Sequence, residues 1–323
     1  MPTAPKVKLN NGNEMPALGM GVVFLDIGDT QRTIDDAIAA GYRLFDNAAF
    51  YGNEAKIGQA LKNNGIAREE LFISSKLKNG HHQYDEACRE CEKSLKALGV
   101  DYLDLYLIHY PCPEHGLYTE AWKALEHLHK EGLVKNIGVS NFHQEHIERI
   151  LDIAEFKPVV DQLEFNPYLT IEPLREYLRG LDIIPEAWFP LGGPGGPPPG
   201  MEPPPGAPGP GPGGPGPGPG GPGPGPDGPG PDGPNPFKAS MFKEPAILTL
   251  AEKYKKSAAQ IVLRWETQCG VIPVPKASNP AHMAENISIF DFAMTDEELA
   301  SIAALNRDNR CGPSGDNCNE YWD

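Results

Sequence analysis

The chain has 323 residues, room for two average domains or for one α/β barrel of about 250 residues with insertions. A formal charge of −16 excludes a nucleic acid as partner, because such binding draws on Lys and Arg neutralising phosphates. No apolar run approaches the roughly 18 to 20 residues that cross a bilayer, and Met1–Lys6 lacks the apolar core of a secretory signal. A cytoplasmic monomer with no membrane contact is therefore expected.

Residues 6–16 read as an N-terminal β-hairpin turning at Asn11-Gly12. Short apolar runs then alternate with segments of helical period. Leu18–Gly21 precedes a helix at Thr30–Ala40, with Asp29 or Thr30 as its cap. Arg43–Asp46 precedes Asn53–Lys62, Leu71–Leu77 precedes Asp85–Leu98, and Leu103–His109 precedes Tyr118–Lys130. Val134–Val139 precedes Gln144–Ile153, Val159–Phe165 precedes Ile171–Arg179, and Ile183–Trp188 precedes helices within Ala246–Glu266. Val271–Pro275 precedes Pro280–Ile289, and Thr295 starts a further helix, Asp296–Leu305. Eight strand–helix units are the number that closes a (β/α)8 TIM barrel, here with an extra C-terminal helix. A doubly wound open sheet is the alternative, disfavoured because no G-x-G-x-x-G follows a strand.

One segment interrupts the pattern. Residues 192–236 are Gly or Pro at all but six positions, which forbids helix or strand interiors and supplies almost nothing apolar to bury. A disordered or polyproline-II-like insert is expected after the seventh strand, within one barrel domain spanning 1–323. Its PxxP spacings also permit a ligand for an SH3- or WW-like partner, but no Arg or Lys anchors flank them. The six cysteines suggest reduced thiols: Cys88-x-x-Cys91 lies in a helical pattern without further ligands at metal spacing, so no metal is expected. Cys311 and Cys318 are the pair that oxidation would close into a tail loop.

Four strand ends carry chemistry. Asp46 ends the second strand with Tyr51 five residues on, Lys76 ends the third, and His109 ends the fourth. Each has an ordinary reading too: a cap, rim packing, a solvated lysine, a hydrogen-bonded histidine. Together at one barrel mouth they suit proton donation to a carbonyl oxygen. A phenol holds its proton at neutral pH, a neighbouring ammonium lowers its pKa, and a carboxylate keeps that ammonium charged.

The stretches Phe45–Glu54, Ile73–Leu77, Tyr106–Pro111, Gly138–Phe142, Gln162–Tyr168 and Val274–Lys276 with Glu285-Asn286 resemble the aldo-keto reductase superfamily. The resemblance covers essentially the whole chain outside 192–236 and the last dozen residues. It implies a barrel that binds NADP(H) without a Rossmann domain and reduces aldehydes or ketones by hydride transfer. It also implies a tetrad of Asp46, Tyr51, Lys76 and His109, with Tyr51 as proton donor and His109 orienting the carbonyl. A non-catalytic nucleotide-binding barrel serving as a regulatory subunit is the alternative. Ser140, Asn141 and Gln162 match contacts to the nicotinamide carboxamide, Trp188 the ring against it, and Gly21 and Val22 a contact near its ribose. Leu191 matches a cofactor contact after the seventh strand. Lys276 matches the residue meeting the 2′-phosphate, with Ser278, Asn279, His282, Glu285 and Asn286 around the adenosine. Val23, Phe50 and Tyr110, with the Cys311–Asp323 tail, line or cover the substrate pocket.

Three positions depart from the family pattern. Ala277 and His282 stand where Ser and Arg are usual, so NADP(H) is preferred with weaker discrimination against NAD(H). Phe189 replaces a Ser near the pyrophosphate, and the Gly/Pro insert replaces the loop that folds over it. Looser binding and faster release of the cofactor are the expectation.

Overall fold

The computed structural model of the protein describes residues 3–23, 25, 29–193 and 240–318. All but the first two residues of the Gly/Pro insert, and the tail beyond Cys318, lie outside the described residues. The hairpin forms as expected: β1 (Lys6–Lys8) and β2 (Glu14–Pro16) pair antiparallel with Val7 opposite Met15. Gly12 takes the left-handed backbone of its turn at φ +91°.

Eight parallel strands follow in chain order. They are β3 (Met20–Gly21), β4 (Leu44–Asp46), β5 (Phe72–Leu77), β6 (Leu105–Ile108), β7 (Ile137–Ser140), β8 (Val160–Glu164), β9 (Ile184–Trp188) and β10 (Ile272–Pro273). The first and last strands meet through Gly19 N–H to Pro273 O at 3.0 Å and Gly21 N–H to Pro275 O at 3.2 Å, which closes the barrel. Gly21 is required there, since a Cβ would lie 2.9 Å from the Val274 carbonyl oxygen.

The outer helices are α1 (Thr30–Ala40), α2 (Glu54–Asn64), α3 (Tyr84–Leu98), α4 (Tyr118–Lys130), α5 (Gln144–Leu151), α6 (Glu172–Gly180), α7 (Pro245–Tyr254), α8 (Ala258–Gln268) and α9 (Pro280–Ile287). The expected extra helix is α10 (Asp296–Ala303), held by a capping box in which Thr295 and Glu298 satisfy each other's backbone N–H. Asp29 does not bond the α1 backbone; its carboxylate pairs with Arg32 at 2.6 Å instead. Lys255, at φ +54°, separates α7 from α8.

Side chains alternate in and out along each strand, and the inward series changes character with height. Leu44, Phe72, Leu105, Leu107, Val160 and Ile272 form an apolar floor, plugged by Leu9 and Met15 of the hairpin region. Two residues further along each strand the inward positions turn polar: Asp46 after Leu44, Lys76 beyond Phe72 and Ser74, His109 after Leu107, Gln162 after Val160, Glu186 after Ile184. The outward set, including Phe45, Ile73, Tyr106, Ile108, Val139, Leu163 and Ala187, belongs to the main core with the helices. The strands therefore present polar groups at one end only, the C-terminal mouth.

Asp161 is an outward exception. It is fully buried, one carboxylate oxygen accepts Phe142 N–H at 3.4 Å, and the other has no hydrogen-bond partner. Burial holds its pKa well above the ordinary value. The folded state thus keeps a proton that the unfolded chain releases near pH 4, so this contribution is full below pH 4 and is lost as pH rises. Asp161→Asn is expected to gain stability relative to wild type by up to about 1.4 kcal/mol per pH unit above that point. Melting curves at pH 5 and pH 8 check it; a gap that does not widen refutes the assignment.

Candidate active site

Lys76 and Asp46 are the centre of the mouth. Strand register sets Asp46 beside Ser74, and Lys76 extends from β5 across to β4. The Lys76 ammonium donates to Asp46 Oδ1 at 2.7 Å, to Oδ2 at 2.9 Å and to the Asn47 carbonyl at 2.8 Å. The lysine is completely buried. Burial works against its charge, yet Asp46, Tyr51 and Glu186 together hold its pKa above the ordinary value. Ser74 Oγ adds a 2.9 Å bond to Asp46 Oδ1.

Tyr51 sits on a short 3₁₀ turn, Ala49–Tyr51, ahead of α2. Gly52 ends this turn in the left-handed region at φ +67°. The Lys76 ammonium lies 5.3 Å from the Tyr51 ring centroid. The His109 ring meets the Tyr51 ring edge-on at 6.3 Å. Burial is the largest influence on the Tyr51 pKa and raises it; Lys76 pulls it down as expected, Asp46 and Glu186 add to the rise, and the net shift is upward. The phenol is held as an acid. His109 follows β6 by one residue, and burial together with Lys76 drives its pKa well below the usual value. It is therefore neutral, a hydrogen-bonding imidazole and not an imidazolium.

The nicotinamide candidates form one connected group. Gln162 Nε2 donates to Asp46 Oδ1 at 2.9 Å and Ser140 Oγ donates to the Gln162 backbone carbonyl at 2.8 Å. Asn141 Nδ2 donates to Ser140 Oγ and to the His109 carbonyl, each at 3.0 Å, and Trp188 Nε1 donates to Asn141 Oδ1 at 3.0 Å. Asn141 adopts φ +62°, a conformation that Asn tolerates better than most residues. Val22 is tied to the site by its N–H bond to the Asp46 carbonyl at 3.1 Å.

The adenosine candidates gather separately around the start of α9. Asn279 caps that helix, accepting Ala281 N–H at 2.8 Å, so its side chain is already engaged. Lys276 and Ser278 lie just before it, half-buried, and His282 and Glu285 are exposed. Asn286 is turned inward to the Tyr42 hydroxyl. Phe50 and Tyr110 flank His109, with ring centroids 6.4 Å and 5.5 Å away; Val23 is half-buried and Leu191 buried.

Two glutamates escaped sequence reasoning. Glu186 bonds Gln162, as developed below. Glu164, also fully buried, accepts the Cys311 N–H at 2.6 Å and the Gly312 N–H at 2.9 Å, which seats the tail over the mouth. A Cβ on Gly312 would lie 2.4 Å from Trp188 Cη2, and one on Gly315 would lie 1.8 Å from the Asn141 carbonyl oxygen, so glycine permits this close packing. Both glutamates fall two residues from a quoted site residue, the spacing of one strand face, and that was the available signal.

All six cysteines are free thiols, Cys311 and Cys318 included, with Cys318 packed beside Tyr110 and Cys112. Asp316 fixes the tail further, 2.7 Å from His143 Nδ1 and 3.7 Å from His146 Nε2. With Glu145 this makes a group of metal-ligand types. His146 Nδ1 accepts the His143 N–H, however, so Nε2 carries the ring proton toward the carboxylates in place of a lone pair. The group is a clasp. Among the described residues no helix is long and apolar enough to cross a membrane.

Comparisons with known proteins agree with this geometry. The profile of the Aldo/keto reductase family matches residues 18–307. A glyoxal reductase of Bacillus subtilis is 39% identical over 98% of this chain and 99% of its own. A methylglyoxal reductase of Escherichia coli is 37% identical over 96% of each. Among solved structures, a Bombyx mori aldo-keto reductase in complex with NADP superposes with a TM-score of 0.79 at 33% identity, covering 98% of this chain and 97% of that one.

Proposed function

Because the chain belongs to the aldo/keto reductase family, we propose that it is an NADPH-dependent reductase of aldehydes and ketones with Tyr51 as proton donor. The observation that carries this reading is the buried Lys76–Asp46 pair beside a protonated Tyr51 and a neutral His109.

The residues present fit a nicotinamide cofactor. Polar side chains of β7 and β8 and the Trp188 indole line one side of the mouth, and Lys276 with the α9 N-terminus offers positive potential for phosphate at the other. The bound cofactor supplies the hydride. The His109 imidazole and the Tyr51 hydroxyl receive the carbonyl oxygen, Tyr51 gives it a proton, and Lys76 stabilises the phenolate left behind. Asp46 keeps Lys76 charged and in place. The tail over the mouth excludes water from that transfer.

Glyoxal and methylglyoxal are the first substrates to assay, since two relatives are reductases of those compounds. All four tetrad positions are filled, so no observation favours the non-catalytic alternative. Preference for NADP(H) over NAD(H) is assigned to Lys276. Lys276→Ala is expected to raise the KM for NADPH by about ten-fold, the loss of one charged phosphate contact, and to leave the KM for NADH unchanged. Consumption of each reduced cofactor with methylglyoxal reads both values. Equal changes in the two would remove Lys276 from the 2′-phosphate. Six free thiols support a reducing, cytoplasmic setting, and we place the working protein there as a monomer.

A further inference from the structure

Every second side chain of β9 faces into the barrel, with Ile184 near the floor, Glu186 above it and Trp188 at the mouth. Glu186 lies in register with Gln162 of β8 and is fully buried. Gln162 Nε2 donates to Glu186 Oε2 at 2.7 Å and to Asp46 Oδ1 at 2.9 Å. A primary amide nitrogen has two N–H bonds, and both are thereby committed to carboxylates. Because carboxylate oxygens accept and Asp46 is paired with Lys76, the nitrogen must occupy this end of the amide. Gln162 then has only its carbonyl oxygen to offer a ligand, an acceptor suited to an amide N–H.

Glu186 is a costly residue at this position. Its second oxygen, Oε1, is buried with no hydrogen-bond partner, and burial followed by the Asp46 charge raises its pKa. An apolar side chain would avoid that cost but would leave one Gln162 N–H unpaired and the amide held at one point.

We propose that Glu186 is a positioning residue for nicotinamide binding: with Asp46 it grips the Gln162 amide by both N–H bonds, so that the Gln162 carbonyl oxygen receives the carboxamide N–H of the cofactor. This rests on the reductase reading above.

The test is titration of tryptophan fluorescence with NADPH in the absence of any carbonyl substrate, with a melting curve for each variant. Glu186→Leu is expected to weaken NADPH binding by about ten-fold, the loss of one buried hydrogen bond's worth of positioning. Glu186→Gln, whose amide oxygen accepts the same bond, is expected to stay within about two-fold of wild type. In a Gln162→Leu background, Glu186→Leu is expected to add nothing, since its effect runs through the amide. If the leucine variant does not fold, Glu186→Met serves the same comparison. The proposal is overturned if the apolar variant binds like wild type, if Glu186→Gln loses as much as it does, or if the losses at 162 and 186 add. A wild-type protein that binds no NADPH would overturn the reductase reading instead.

Discussion

Tyr51→Phe is expected to lower carbonyl reduction by roughly 10²- to 10⁴-fold, the usual contribution of a positioned general acid, while NADPH still binds with wild-type affinity. The substitution removes one oxygen and keeps the ring that packs edge-on against His109. Stability should hardly change, and melting curves serve as the control. His109 cannot take over at neutral pH, because burial and the nearby Lys76 charge keep its imidazole unprotonated. Water is the remaining acid, and the tail seated on Glu164 restricts it. The wild-type pH profile is informative as well. Burial raises the Tyr51 pKa above that of an ordinary phenol, so the protonated fraction stays full through neutral pH and falls only in strong alkali. A reduction rate that stays high in the phenylalanine variant would assign the proton to another group.

Lys76→Met is expected to be the most destabilising single change at the site. It removes the one ammonium that, among the described residues, bonds the 3% exposed Asp46 carboxylate, leaving it there with hydrogen bonds from Ser74 and Gln162 but no bonded cation. Breaking a buried pair from one side costs roughly 3–5 kcal/mol. Replacing both partners, as Lys76→Met with Asp46→Leu, should recover most of that loss, because no charge is then left unpaired. Both variants should be inactive. Denaturant unfolding separates the two effects: if the double variant is no more stable than the single one, charge desolvation is not the cause.

The fold was legible because its signal is repeated. Eight apolar runs, each followed by a helical period, correspond one to one with β3–β10, and Thr295 was readable as the N-cap of the last helix. Boundaries were less so. Leu18–Gly21 reads as four strand residues but β3 holds two, since only Met20 and Gly21 pair with β4. Asp29 reads as a cap, but a basic residue one turn on competes for its carboxylate. The gathering of Asp46, Tyr51, Lys76 and His109 at one mouth was legible from strand ends and the resemblance. Glu186 and Glu164 were not. A glutamate in a strand ordinarily faces water, and that expectation outweighed the two-residue spacing that puts these positions on the inward face. Whether Tyr51 stands on a helix or a turn depends on Gly52, whose left-handed backbone stops the turn before α2 begins at Glu54.

The closing seam has a consequence of its own. Where β3 meets β10, Gly19 and Gly21 donate to Pro273 and Pro275, residues that have no N–H to return. The seam therefore carries bonds in one direction, between two-residue strands that bring the first and last barrel turns of the chain together. Every other strand pair along the sheet is joined between neighbours in sequence order. The barrel is in effect a curled ribbon fastened at one edge. Its weakest mechanical line lies beside Gly21 and the approach to Lys276, so opening there parts the two sides of the proposed cofactor groove before it disturbs the Lys76–Asp46 pair.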